Sequence, residues 1–149
     1  MKRSRIVYAL FAAYCALMLW LLFDRPGYID GIPYWDQLLP NLNLTPFRTL
    51  RLFFGLLHDH RPYLVRTALI NLLGNVVMFV PLGLFLPLIF LRLQKLWRTL
   101  FTVTLLIAVV EIAQLFTLLG SCDVDDLILN LLGAALGYGI YKRIKKPDC

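Results

Sequence analysis

The sequence predicts an all-α, polytopic membrane protein: four transmembrane helices and one amphipathic helix lying in the interface. Three observations predict this class. Of the 149 residues, 60% are hydrophobic and only 16% charged, and the mean hydropathy is +0.73; a soluble domain is roughly half apolar. Apolar runs of spanning length recur along the chain, each flanked by basic residues. The charges also divide unevenly between the two sides. With both termini in the cytoplasm, ten Lys and Arg fall inside against one acid, Asp148, while five Arg and seven Asp fall outside. That is a positive-inside pattern. The same division excludes nucleic acid as the partner of a chain with net charge +6, because its basic residues bracket apolar runs and do not gather on one face. The length suits one membrane domain, residues 1–149.

Lys2, Arg3 and Arg5 precede the apolar run 6–23. At about 1.5 Å per residue it reaches roughly 27 Å, close to a bilayer core. No small-x-small cleavage site follows; the chain continues Asp24-Arg25-Pro26-Gly27, so the run is expected to be a first span and not a removed signal. Residues 24–68 form an exterior loop broken by Gly31, Pro33 and Pro40. Within it, Arg48, Arg51, Gly55 and His58 recur at helical spacing, and Phe47, Leu50, Phe53, Phe54 and Leu57 cover much of the rest. Thr45 and Pro46 read as N-cap and first turn. Pro46, Phe47, Arg48 and Arg51 thus mark an amphipathic interfacial segment, with a re-entrant, pocket-covering segment as the alternative.

The second span is expected at 69–91. It holds Gly74, Pro81, Gly83 and Pro87; two prolines in one membrane helix predict a bent or broken axis. Arg92, Lys95 and Arg98 form a basic turn before the third span, 100–119. A short acidic turn leads into the fourth, 126–141. There Gly133 and Gly137 are small residues four apart, which lets a neighbouring backbone approach closely. The same face would be the seam of a dimer.

The polar residues of these spans fall at one depth. Asn71 and Asn75 lie in the outer half of the second span, Glu111 and Gln114 in that of the third, and Asp126 and Asn130 in that of the fourth, below Asp123. One polar pocket open to the exterior accounts for all of them. Asparagines can also simply link helices, at about 0.6–2 kcal/mol each, and Asp123 can cap its helix. An intramembrane carboxylate such as Glu111 costs about 2.5–3.5 kcal/mol on insertion scales and marks a functional site by default. Asp123, Asp125 and Asp126 could also hold a hard cation or an ammonium group. A divalent cation is therefore the one cofactor to consider; none is otherwise expected. Cys15, Cys122 and Cys149 have no metal-ligand spacing. His58 and His60 stand apart from the acids. No serine nucleophile, Walker loop or zincin motif is present, so no catalytic residue is assigned and a non-enzymatic role is expected.

Asn43-Leu-Thr-Pro-Phe47, Asn71 through Asn75-Val-Val-Met-Phe-Val-Pro81-Leu-Gly83, Glu111-Ile-Ala-Gln114, and Gly120-Ser-Cys-Asp123-Val-Asp-Asp126 with Asn130 and Gly133 together resemble the VanZ-like family. The resemblance runs from the first span to Tyr141. It implies a multi-pass protein of the bacterial cell membrane and, from the family's namesake, reduced susceptibility to teicoplanin or related lipoglycopeptides. Namesake-type members carry a further apolar C-terminal segment, so the match is to a four-helix core. Carried over by residue, the family pattern points to Asn75, Pro81, Gly83, Glu111, Gln114, Asp123, Asp126 and Asn130, with Asp125 less clearly part of it. The leading expectation is a protein that binds or shields an exterior or lipid-linked ligand, with membrane lipids and a cell-wall precursor or lipoglycopeptide as partners. A membrane-embedded enzyme acting on a lipid or cell-wall precursor through a carboxylate-bound divalent cation is the first alternative. A small transporter or accessory subunit is the second.

Overall fold

The computed structural model describes residues 5–24 and 27–145. The expectations for Lys2, Arg3, Arg25, Pro26, Lys146, Asp148 and Cys149 lie outside the described residues. In chain order the elements are α1 (Arg5–Phe23), α2 (Tyr34–Leu38), β1 (Leu42–Asn43), α3 (Arg48–Leu56), α4 (Pro62–Ile89), α5 (Leu96–Thr117), β2 (Cys122–Asp123) and α6 (Val124–Lys145). Helices α1, α4 and α5 are long and apolar enough to cross a membrane. Helix α6 matches α5 at 22 residues, but it is bounded by Asp125 and Asp126 at one end and Lys142, Arg143 and Lys145 at the other. The fold is thus all-α and multi-spanning, with one addition: β1 and β2 form a two-residue parallel pair, Leu42 opposite Cys122 and Asn43 opposite Asp123.

Several boundaries differ from the hydropathy reading. The second span begins at Pro62, not residue 69, because two polar turns containing Arg66 and Thr67 are already helical. Proline at the first helical position fits there, since that N–H has no intrahelical partner. The span ends at Ile89, where Phe90 turns extended. The third covers Leu96–Thr117; Leu118 stops it in the left-handed region (φ 58°). Such a conformation is costly for a bulky residue, and Leu118 is held there by packing on Leu38 and Leu115. The helix expected as the fourth span, α6, covers Val124–Lys145, and among the described residues it is not one of the three helices long and apolar enough to cross a membrane. Of the bent or broken axis expected from Pro81 and Pro87, the break does not occur: helix α4 is continuous through both prolines. The stretch 24–68, expected as a loop, is not one connection: it contains α2, β1, α3 and the start of α4.

The central seam is α4 against α6. A Cβ on Gly133 would sit 2.0 Å from the Val76 carbonyl oxygen, one on Gly137 1.9 Å from that of Val80, and one on Gly83 1.9 Å from that of Ala134. Three glycines thus set two helix backbones in direct contact, which maximises van der Waals packing where the lipid gives no hydrophobic gain. The Gly133–Gly137 face is therefore covered within the chain, and the dimer seam expected there is not free. Phe79, Leu82 and Leu86 of α4, Val103 and Ile107 of α5 and Ala134 of α6 complete the core. Helix α1 lies outside it. Phe11, Tyr14 and Met18 reach the core, and the Tyr14 hydroxyl donates to the Met78 carbonyl at 2.7 Å, while Leu10, Leu17 and Trp20 stay exposed. At the basic end, the Tyr138 hydroxyl donates to Gln94 O (2.7 Å) and Lys145 Nζ to Gln94 Oε1 (2.6 Å). These bonds tie the α4–α5 turn to the end of α6.

Candidate functional site

Helix α3 begins without a side-chain cap of its own. Phe47, at its N-cap, adopts a left-handed conformation (φ 64°), and the cap expected from Thr45 does not form. Asp125 of α6 supplies it from across the fold. Its Oδ1 accepts the Phe47 N–H at 2.6 Å and its Oδ2 the Leu50 N–H at 3.0 Å. The carboxylate satisfies two orphan donors and sits at the positive end of the helix dipole. Asp125 is wholly buried, a position a charged group keeps only when its hydrogen bonds are made.

Asp123 works beside it. Its Oδ1 accepts the Asp125 N–H at 2.8 Å, capping α6 itself. Asn43 Nδ2 donates to both Asp123 oxygens at 3.1 Å and to Thr49 Oγ1 at 3.0 Å. Thr49 Oγ1 in turn donates to Asp123 Oδ2 at 2.5 Å, and Asn43 Oδ1 accepts the Thr45 N–H at 3.2 Å. With the β1–β2 pair, this knot fastens residues 42–50 over the start of α6.

Below the knot lies a cavity of about 30 Å³, lined by Leu22, Asn75, Phe79, Ile107, Val110, Glu111, Gln114, Ser121, Asp126 and Asn130. Asn75 Nδ2 donates to Asp126 Oδ1 at 2.6 Å, linking α4 to α6. Gln114 Nε2 donates to the Leu22 carbonyl at 2.8 Å, closing the end of α1. Glu111 and Asn130 are 7% and 6% exposed. Among the described residues, Glu111 Oε1 and Asn130 Oδ1 receive no hydrogen bond. The other Glu111 oxygen faces Cys122 Sγ at 3.9 Å. Burial first, then the Glu111 carboxylate and Asp123, push the Cys122 thiol above its ordinary value.

The polar residues named from the sequence therefore divide. Asn75, Glu111, Gln114, Asp126 and Asn130 meet at the cavity. Asp123 lies in the knot above it. Asn71 does not join either group: its Nδ2 donates back to the Thr67 carbonyl at 2.9 Å. Helix α4 turns one asparagine inward and the other toward its own exposed backbone. Pro46, Phe47, Arg48 and Arg51 are all exposed at the start of α3. Among the described residues no three His, Cys, Asp or Glu side chains converge on a metal position; Asp123 and Asp125 point their oxygens at backbone and amide donors. Asn43 and Thr49 were not among the predicted site residues, and Asp125, considered there only as a cation ligand or a less clear part of the family pattern, instead caps α3. Asn43 stood in a quoted motif, but nothing in the spacing paired it with Asp123, 80 residues away.

A second, open cleft of about 540 Å³ lies at the same end, lined by residues that include Ile29, Ile32, Asp36, Gln37, Asn41 and Leu119. Ser121 borders both the cleft and the cavity. Gln37 organises its rim: it donates to Ile29 O and Ile32 O and accepts the Ile29 N–H. A larger apolar groove, of about 680 Å³, lies at the basic end around Leu86, Ile89 and Leu91, away from every acid described above.

Comparison with known proteins places this arrangement. The VanZ/LLP1 family model matches residues 11–145, nearly the whole chain. The chain belongs to the VanZ/LLP1 family. Protein VanZ of Enterococcus faecium is similar to it, 27% identical over 132 residues that cover 89% of this chain and 71% of that protein. No solved structure matches it. As a VanZ/LLP1 member with three helices of spanning length and composition, it is a multi-pass bacterial membrane protein. The match includes both the knot and the cavity, so these are parts of the VanZ/LLP1 segment and not of an appended one.

Proposed function

We propose that this VanZ/LLP1 protein is a non-enzymatic envelope protein that lowers susceptibility to teicoplanin-like lipoglycopeptides. It does so by binding or shielding an exterior or lipid-linked ligand at its polar end. In this reading α6 is the fourth span, α3 lies in the outer interface and both termini are cytoplasmic. The basic turn around Arg92, Lys95 and Arg98 and the Lys142–Lys145 end of α6 then share the inner side.

The observation that carries the proposal is the two-level construction of the polar end. A cavity of about 30 Å³ holds roughly one water-sized occupant and excludes any headgroup or drug. The cleft of about 540 Å³ beside it is within the usual range for organic ligands. Ser121 connects the two. Ligand contact thus belongs to the cleft and its rim, with Glu111 and Asp126 setting the charge beneath. Exposed Tyr28 and Trp35, next in the chain to lining residues Ile29 and Asp36, suit an interfacial position for that rim.

The test is antibiotic susceptibility in a sensitive Gram-positive host. Wild type, E111Q and D126N are compared at matched membrane levels with teicoplanin and vancomycin. The expected result is protection against teicoplanin alone, lost in both variants. Protection that survives both substitutions, or no protection by the wild type, would sink the proposal.

A further inference from the structure

We infer that the cavity between α4, α5 and α6 binds one small, hard cation, with Glu111 Oε1 and Asn130 Oδ1 as ligands. The inference deepens the reading above by assigning an occupant to the lower half of the same polar end. It can stand or fall without any effect on antibiotics.

Three observations meet here. The first is the pair of acceptors. Glu111 and Asn130 come from different helices and line the same cavity. Each is more than nine-tenths buried, and neither Glu111 Oε1 nor Asn130 Oδ1 receives a hydrogen bond among the described residues. A buried acceptor left alone keeps its whole desolvation penalty, which is larger when it is charged. The second is the local charge. The groups that act electrostatically on Glu111 are Asp126 and Asp123, with the Cys122 thiol donating to it. Two are acids of α6 and its cap, and none is basic. Carboxylates brought together in a membrane interior are relieved by positive charge beside them or by a proton, and the experiment below separates the two.

The third is size and donor chemistry. The volume of about 30 Å³ admits a water or a dehydrated ion, and no ammonium-bearing lipid. Carboxylate, amide and hydroxyl oxygens from Glu111, Asp126, Asn130 and Ser121 are the ligand set of hard cations; soft metals would require sulfur or imidazole. Cys122 is turned to the other Glu111 oxygen. The neighbouring donors also keep the acceptors aimed inward. Asn75 Nδ2 is held by Asp126 and Gln114 Nε2 by Leu22 O, so neither amide can swing over to satisfy Glu111 without breaking a helix-to-helix bond.

The experiment measures thermal unfolding of the purified full chain in lipid nanodiscs. The base buffer contains choline chloride, whose cation is too large for the cavity. Sodium, calcium or magnesium chloride then replaces it at constant ionic strength, at two or more pH values. At least one of the three ions should raise the wild-type midpoint by about 3 °C or more and saturate, as expected for a ligand bound only by the folded state. In E111Q and in N130A the shift should vanish or need at least tenfold more ion, while D59N, altered in the exposed α3–α4 turn, should keep it. The ion that acts names the source of the charge. No shift with any ion would overturn the inference. So would a shift that survives both substitutions, which marks an adventitious surface site. A midpoint that follows pH alone would overturn it too, and would assign the cavity to a proton. Should E111Q not fold, N130A carries the test. Loss of ion binding with teicoplanin protection intact, or the reverse, separates this inference from the proposed function.

Discussion

The knot and the cavity are built from the same residue types and stand one above the other, yet they differ in one respect. In the knot both oxygens of Asp123 and both of Asp125 accept hydrogen bonds. In the cavity Glu111 Oε1 and Asn130 Oδ1 accept none among the described residues. A buried carboxylate whose acceptors are all used fixes backbone in place, and nothing further is needed to explain it. One whose acceptor is left over stores a cost that an occupant, or a proton on the carboxylate, reduces. Polarity at membrane depth is therefore a weak guide to function, and saturation is a stronger one.

The largest perturbation breaks both regions together. Gly137 brings α6 so close to Val80 that an added Cβ would lie 1.9 Å from its carbonyl oxygen. Gly137→Leu must push α4 and α6 apart, pulling Asn75 away from Asp126 and widening the seam that positions Asn130. Overpacking of this kind costs typically 1–3 kcal/mol, and here the obstacle is backbone, so about 3 kcal/mol or more is expected. Detergent-melt curves and membrane yield should both fall. A near-normal melt would show that the two helices can separate without loss.

Asp125→Ala separates the regions. It removes two charge-assisted bonds to the backbone of α3 and leaves the cavity residues untouched. The expected destabilisation is about 2–4 kcal/mol, on the scale of a lost cap plus bonds to a charged acceptor. It should be local. Hydrogen exchange should rise sharply over residues 45–56 and little in α4 and α5. Asp123→Asn should be milder, since an amide retains one acceptor oxygen for the Asp125 N–H. Exchange spread evenly over the whole chain would mean that the knot and the bundle form one cooperative unit.

The contrast also explains what could be read from the sequence. Spans were legible because hydropathy and flanking charge depend on composition along one helix. That Asn75, Glu111, Gln114, Asp126 and Asn130 would stand at one level of the bundle, where they line one cavity, was legible because a rise of about 1.5 Å per residue converts position into height. Rotation about the helix axis was less so. Asn71 and Asn75 share a face by spacing, but only packing against α6 decides which of them is covered. The knot was hidden for another reason. Its bonds join residues 42–50 to 123–125, and a two-residue strand pair or a cap supplied from another helix leaves no periodic signal. Thr45-Pro46 reads as a helix start by local rules, and the distant Asp125 carboxylate moved that start to Arg48. The continuity of α4 was not legible either: Pro81 and Pro87 allow a bend or a break, and the glycine contacts with α6 on either side of Pro81 come from the distant helix.

The smallest expected effect gives the sharpest view of the boundary between the two regions, where Cys122 sits. Its thiol faces Glu111 on the cavity side, and Asp123 follows it in the knot. Burial raises its ionisation point first and the Glu111 carboxylate second. Glu111→Gln removes the negative charge and leaves the volume, so the thiol should ionise at lower pH and more thiolate should be present at any pH below its midpoint. With Cys15 and Cys149 replaced by serine, maleimide labelling of Cys122 at pH 8 should then speed up several-fold. Asp125→Asn should not produce the same acceleration, since Asp125 is not among the groups that raise the thiol. Wild-type labelling should also quicken when the cavity ion is supplied, because a bound cation offsets the same charge. A rate unchanged by E111Q, with or without the ion, would mean that Glu111 carries a proton at that pH. The cavity would then be the neutral region of the two, its leftover acceptors held beside a proton and not beside an ion.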